Sequence, residues 1–136
     1  TICYEYVFPW LVRRSLPEAT MLVNISEDAW FGDSLAPHQR LQMARFRALE
    51  SGRALVRASN NGLSALIDRR GQVLQLAPQF SPVVLSGMVQ PATGTTVYVR
   101  YGDAPLIIGL LLLLVIAFLV NTKVAVGGST RDVTIT

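Results

Sequence analysis

Thr1-Ile2-Cys3-Tyr4-Glu5-Tyr6-Val7-Phe8-Pro9-Trp10-Leu11-Val12-Arg13-Arg14 opens the chain and holds its single cysteine. An apolar residue precedes Cys3, and the first two residues read as the end of a strand. Pro9 suits the first turn of a helix, where its missing N–H costs nothing. Residues 10–16 form that helix in this reading, and Pro17 stops it. A cysteine between a strand end and a helix start matches a nucleophile on a sharp turn. Such a turn exposes the sulfur and lets peptide N–H groups face a developing oxyanion. The same residue also suits a small buried core side chain, since free cysteine is often buried. Composition and spacing leave both readings open. Glu5 lies close to Cys3 in the chain, and a carboxylate beside a thiol raises its pKa. An activating cation or a separate base therefore has to come from elsewhere in the fold.

Working outward, residues 19–25 (A-T-M-L-V-N-I) form a short apolar run of strand length, expected to be buried on both faces. Residues 26–34 follow as a loop whose Trp30 and Phe31 are expected to plug the core. Asn24-Ile25-Ser26 matches a glycosylation triplet but sits on the strand, so it is discounted. Residues 37–51 read as a helix, with Pro37 near its start and Gly52 just past its end. Its apolar residues spread around the helix, which predicts burial on more than one side. Arg47 and Glu50 have the spacing of a surface pair. His38 reads as structural, and no Cys/His/Asp cluster points to a metal. Residues 55–59 and 63–67 read as a hairpin turned by Asn60-Asn61-Gly62. Asp68-Arg69-Arg70-Gly71 makes a second turn before a strand over residues 72–76, and residues 83–88 suggest one more strand.

The chain has 136 residues, a net charge of +3 and 12 Lys+Arg against 9 Asp+Glu. That length fits one small domain with an appendage. The arginines are scattered without aromatic interleaving, which argues against nucleic-acid binding. Thr1 is not a methionine and no leader precedes it, so the chain reads as the C-terminal part of a longer protein. Residues 104–120 carry no charge. At a rise of about 1.5 Å per residue, a run of that length is at the short end of a bilayer span, and Asn121 and Thr122 extend it. A buried soluble helix is the competing reading. Lys123 and Arg131 follow, so by the positive-inside rule the tail lies on the cytoplasmic side and the globular part faces outward. Gly127 and the residues after it are polar and rich in Gly, Ser and Thr, which suggests disorder.

Cys3-Tyr4-Glu5, Phe8-Pro9 and Arg13-Arg14 together resemble the nucleophile segment of the nitrilase (carbon–nitrogen hydrolase) superfamily. Further stretches resemble, more narrowly, the apolipoprotein N-acyltransferases of bacterial envelopes. These are N-I-S-E-D-A-W-F-G-D-S at residues 24–34, P-H-Q at 37–39, M-A-R-F-R-A-L-E at 43–50, R-A-S-N-N-G at 57–62 and Y-V-R-Y-G-D-A-P at 98–105. The likeness covers roughly residues 1–122. Glu27 departs from it, since the family more usually has Asn there.

The resemblance implies an α/β fold, the C-terminal half of a nitrilase-type α-β-β-α sandwich over residues 1–103. One transmembrane helix over residues 104–122 and a disordered tail over 123–136 would follow. It implies Cys3 as nucleophile, with Tyr4 and Glu5 as supporting residues. The family's general-base Glu and oxyanion-supporting Lys lie upstream of the cysteine, so this span alone is expected to be inactive. The implied reaction takes an acyl chain from a phospholipid onto the cysteine as a thioester. The acyl group then passes to the α-amine of a lipoprotein's diacylglyceryl-cysteine. No cofactor, metal or nucleic acid is implied. The setting would be the bacterial inner membrane, with the catalytic domain facing the periplasm. Two other readings compete: a membrane-anchored amidase or nitrilase hydrolysing C–N bonds, and a non-catalytic tethered interaction domain.

Overall fold

The computed structural model describes residues 1–16 and 18–128; Pro17 and residues 129–136 lie outside the described residues. Two units are present, Thr1–Arg100 and Tyr101–Thr136. In the first, helix α1 (Pro9–Ser15) is followed by strand β1 (Leu22–Glu27), helix α2 (Ala36–Ser51) and strands β2 (Leu55–Asn60), β3 (Ala65–Ile67) and β4 (Val73–Leu76). The strands form one mixed sheet in the order β1-β2-β3-β4. β1 and β2 are parallel, so they need a crossover, and α2 supplies it. The β2/β3 and β3/β4 pairs are antiparallel.

α2 packs on the sheet through Pro37, Arg40, Leu41, Ala44, Ala48 and Ser51. These positions recur at intervals of three or four residues, which makes a single stripe. The expectation of burial on several sides is therefore corrected, for Phe46 and Leu49 are exposed. Small residues and an arginine line the buried face, so apolar periodicity did not mark it. Gly52 ends the helix at φ 63°, in the left-handed region that favours glycine. The core gathers Tyr6, Val12 and Leu16 with Leu22, Leu41, Ala44, Ala48, Leu55, Leu63, Ala65 and Ile67.

β1 alternates: Leu22, Asn24 and Ser26 point into the core, while Val23 and Ile25 are exposed. The expected two-sided burial is thus not found among the described residues. The turn between β2 and β3 is also longer than expected. Pairing of these strands stops at Arg57↔Ala65, and Ala58, Ser59 and Asn60 pair with β1 instead. Asn61 takes the positive φ, 55°. Gly62 is needed for a different reason: a Cβ there would lie 2.3 Å from Asp28 Oδ2 and 2.4 Å from Ser59 Oγ. Residues 83–88 form no strand. The segment after them is tied down by polar side chains. Arg53 Nη2 donates to Gly94 O (2.8 Å), and Arg13 Nε donates to Val99 O (3.1 Å) in helix α3 (Val97–Tyr101).

The second unit holds helix α4 (Ala104–Gly128). It runs past residue 122, where a tail was expected to begin. Its window Ala104–Asn121 has mean hydropathy 2.7 and is unburied, and it is the one helix among the described residues long and apolar enough to cross a membrane.

Ala48 is fully buried, so Ala48→Leu should overpack the α2–sheet seam and cost about 1–3 kcal/mol. Thermal unfolding measures this, and an unchanged midpoint would contradict the packing described.

Candidate active site

Cys3 adopts φ 49°, a left-handed conformation that a non-glycine residue takes only when its surroundings impose it. The surroundings here are specific. Ile2 bridges Ile25 in parallel, and the Cys3 N–H donates to Ile25 O at 2.6 Å. Asn24 Nδ2 donates to Cys3 O (3.3 Å). A short 3-10 turn, Glu5–Val7, then leads through an extended Phe8 into Pro9 at the start of α1. The chain therefore passes from strand to helix across one strained residue, and the Cys3 side chain is half-exposed at that corner.

Glu5 serves the same corner, its Oε2 accepting from the Ile2 N–H at 2.8 Å. Tyr4 is exposed and stacks edge-on against Phe8, with centroids 5.9 Å apart.

Beneath the turn lies Asp28, fully buried. Arg40 pairs with its Oδ1, and Arg57 Nη2 donates to its Oδ2 at 2.8 Å. Ser59 Oγ donates to Oδ2 (2.7 Å) and Ser26 Oγ to Oδ1 (3.1 Å). Burial pushes the Asp28 carboxyl pKa up, but the Ser59 hydrogen bond and the two guanidinium charges outweigh this and hold it below the ordinary carboxylate value. The sheet register explains the convergence. Asn24 lies opposite Arg57 and Ser26 opposite Ser59, so all four stand on the covered side of β1 and β2 or at its edge.

Two arms leave the carboxylate towards Cys3. In one, Arg57 Nη1 donates to Asn24 Oδ1 (2.6 Å), and Asn24 in turn holds Cys3 O. In the other, Arg40 Nη2 lies 3.7 Å from Cys3 Sγ and 2.8 Å from Ser26 Oγ. The Arg40 hydrogen bond holds the Cys3 thiol pKa below its ordinary value; partial burial opposes this, while peptide N–H groups of Glu27 and Tyr4 add to it. A thiol in this setting can ionise and attack an electrophilic carbonyl.

The expectation that Trp30 and Phe31 plug the core is overturned. Trp30 is 88% exposed and Phe31 42% exposed, on a 3-10 turn, Ala29–Phe31, that ends at Gly32 with φ 51°. The turn is anchored from below by Asp28, whose carbonyl accepts the Phe31 N–H, so the aromatics project outward. Phe31 faces the Arg40 guanidinium at 5.5 Å. Glu27, the departure from the family pattern, accepts from Asn60 Nδ2 (2.7 Å) and the Ala29 N–H (2.8 Å), which hold its carboxyl below the usual range. His38 is exposed on the outer side of α2.

Cys3, Tyr4 and Glu5 thus share one corner. Arg40, Asp28, Arg57 and Asn24 were missed as site residues. The available signal was an arginine on the small-residue stripe of α2, in step with Leu41, Ala44 and Ala48.

The Carbon-nitrogen hydrolase family model matches residues 1–98. The chain is 50% identical over 107 residues to the apolipoprotein N-acyltransferase of Methylococcus capsulatus, covering 79% of this chain and 21% of that protein. It is 48% identical over 114 residues to that of Nitrosomonas europaea, covering 82% and 23%. It is 50% identical over 106 residues to that of Haemophilus influenzae, covering 77% and 20%. The chain therefore spans about a fifth of the length of these curated relatives.

Asp28→Ala strands two buried guanidiniums and should cost about 3–5 kcal/mol. Because the folded pKa of Asp28 is lowered, its contribution is present above the ordinary carboxylate value of about 3.9 and is lost as pH falls through the lowered one. Acid unfolding of the wild type and of Asp28→Asn tests this. A variant that keeps the wild-type pH dependence in that window would refute it.

Proposed function

Because the chain belongs to the carbon–nitrogen hydrolase family, we propose that it carries the nucleophile-bearing part of an apolipoprotein N-acyltransferase, with Cys3 as acyl carrier. The observation that carries this reading is the half-exposed sulfur on a strained turn, 3.7 Å from a buried arginine. Cys3 Sγ attacks the ester carbonyl carbon of a phospholipid. A carboxylate base, for which the family resemblance implies a Glu upstream of this span, holds the proton lost from the thiol and gives it to the departing glycerol oxygen. A thioester forms and a lysophospholipid leaves. The α-amine of a lipoprotein's diacylglyceryl-cysteine then attacks the thioester carbon. The amide N–C bond forms, the S–C bond breaks, and the amine's proton passes to the same base, leaving the sulfur as a thiolate for the next cycle.

Tyr4 and Glu5 support the turn, Glu5 by holding the Ile2 N–H. The upstream Lys of the resemblance would complete oxyanion stabilisation, so the span alone is not expected to transfer acyl groups.

The surroundings of the sulfur favour an acyl donor over a small polar amide. Ile2, Tyr4, Phe8, Trp30 and Phe31 are exposed apolar or aromatic residues on the segments that build the corner. Such a rim suits an acyl chain and speaks against the hydrolase alternative. The exposed Val23 and Ile25 face suits burial by the other half of an α-β-β-α sandwich. Residues 1–103 would form the catalytic part. The 18-residue window Ala104–Asn121 rises about 27 Å, close to a hydrocarbon core of about 30 Å, so α4 would cross the bilayer. The enzyme would then sit in the bacterial inner membrane, with its catalytic part on the periplasmic side.

Cys3→Ser in the full-length protein should abolish both the acyl-enzyme and lipoprotein N-acylation, followed by mass spectrometry of the enzyme and of its product. Retained acylation would refute Cys3 as carrier.

A further inference from the structure

Arg40, Arg57 and Asp28 are buried together, two cations with one carboxylate. The cluster therefore has one positive charge in excess, and an uncompensated buried charge is costly. Arg57 is covered on every side by acceptors: Asp28, Asn24 Oδ1 and Leu63 O. Arg40 is less completely served. It pairs with Asp28 Oδ1, donates to Ser26 Oγ and reaches Glu27 O at 3.4 Å, but its Nε is buried without a hydrogen-bond partner among the described residues. Its Nη2 also points to Cys3 Sγ. The Tyr4 and Phe31 rings lie 5.8 Å and 5.5 Å from the guanidinium carbon and shield it from water.

We propose that Arg40 is a catalytic residue: the counter-ion of a resting Cys3 thiolate, fixed by Asp28 and flanked by Tyr4 and Phe31. A thiolate at Sγ balances the excess charge of the cluster. The lowered pKa of the thiol agrees with this. The other titratable groups on the elements around the sulfur do not supply the balance. Glu5 is exposed and engaged by the Ile2 N–H, Glu27 by Ala29 and Asn60, and the Tyr6 hydroxyl donates to Arg40 O.

The proposal rests on the reading of Cys3 as acyl carrier. In the first step the sulfur's charge passes into the ester carbonyl. In the second, amine attack expels the sulfur, and a guanidinium beside it stabilises the charge that returns. Arg40 stays protonated throughout and moves no proton. A lysine has no planar fork with which to hold Asp28, Ser26 and the sulfur at once.

The test is the pH dependence of Cys3 alkylation by iodoacetamide in the full-length protein, with Cys3→Ser supplying the background. Arg40→Gln should move the midpoint up by about one unit or more, slowing alkylation near neutral pH about tenfold, and Arg40→Lys should recover part of the loss. An unchanged profile in Arg40→Gln overturns the proposal. Should that variant not fold, titration of the wild-type thiolate by its ultraviolet absorbance decides. A midpoint below the ordinary thiol value of about 8.5 supports the ion pair, and one at or above it overturns it. Acyl transfer by Cys3→Ser is read separately. If it persists while Arg40→Gln shifts alkylation, the carrier reading fails and the ion pair stands.

Discussion

The Asp28 carboxylate, buried between two guanidiniums, is the interaction on which the rest of this unit depends. One oxygen faces Arg40 on the crossover helix and the other faces Arg57 on the second strand. The carboxylate thus joins helix, sheet and the loop that follows β1. Replacing such a triad by well-packed apolar residues of similar volume is often neutral for stability, since desolvation offsets much of the Coulomb attraction. Its use here is positional. One arm ends on the Cys3 carbonyl and the other on its sulfur, so a single carboxylate sets both the backbone and the side chain of the corner.

That arrangement also explains how a strained residue persists. A left-handed cysteine costs on the order of 1–3 kcal/mol, and it stays in place only if several contacts agree on it. The parallel bridge to Ile25, the Asn24 amide and the Glu5 carboxylate all act on residues 1–5. Gly62 matters to the same end from the opposite side. Any side chain there would push into Asp28 and Ser59, so the glycine is required by close approach and its neighbour Asn61 makes the turn.

Much of the framework was legible because its signals are local. Pro9 and Gly52 mark helix ends, and Asp68 to Gly71 forms a turn closed by Asp68. The α/β class came with the family resemblance, and the strand-length runs on either side of a helix agree with it. The Cys3 corner was legible in its residue order, and the need for a cation or a separate base from elsewhere followed from the chemistry of Glu5. Which cation was not, because Arg40 is separated from Cys3 by 37 positions and meets it only through the packing of α2 on the sheet. The aromatic pair failed for a related reason. Hydrophobicity alone sends Trp30 and Phe31 inward, but the buried place in that loop is taken by Asp28. Residues 83–88 show the same limit: Gly87 lies against Leu66 and Gln75 of the sheet, and the apolar run joins no strand ladder.

The half-exposed sulfur beside Arg40 has a chemical liability. Whatever favours a thiolate also favours attack by peroxide, since oxidation follows ionisation and access. This span contains no second cysteine that could condense with a sulfenic acid and rescue it. Tyr4 and Phe31 lie over the guanidinium but are themselves exposed, so they leave the sulfur open to solvent-borne oxidant. If Cys3 carries an acyl group as proposed, a hydrocarbon chain lying over the same rings would close the corner, and lipid occupancy would then also protect the sulfur from oxidative loss.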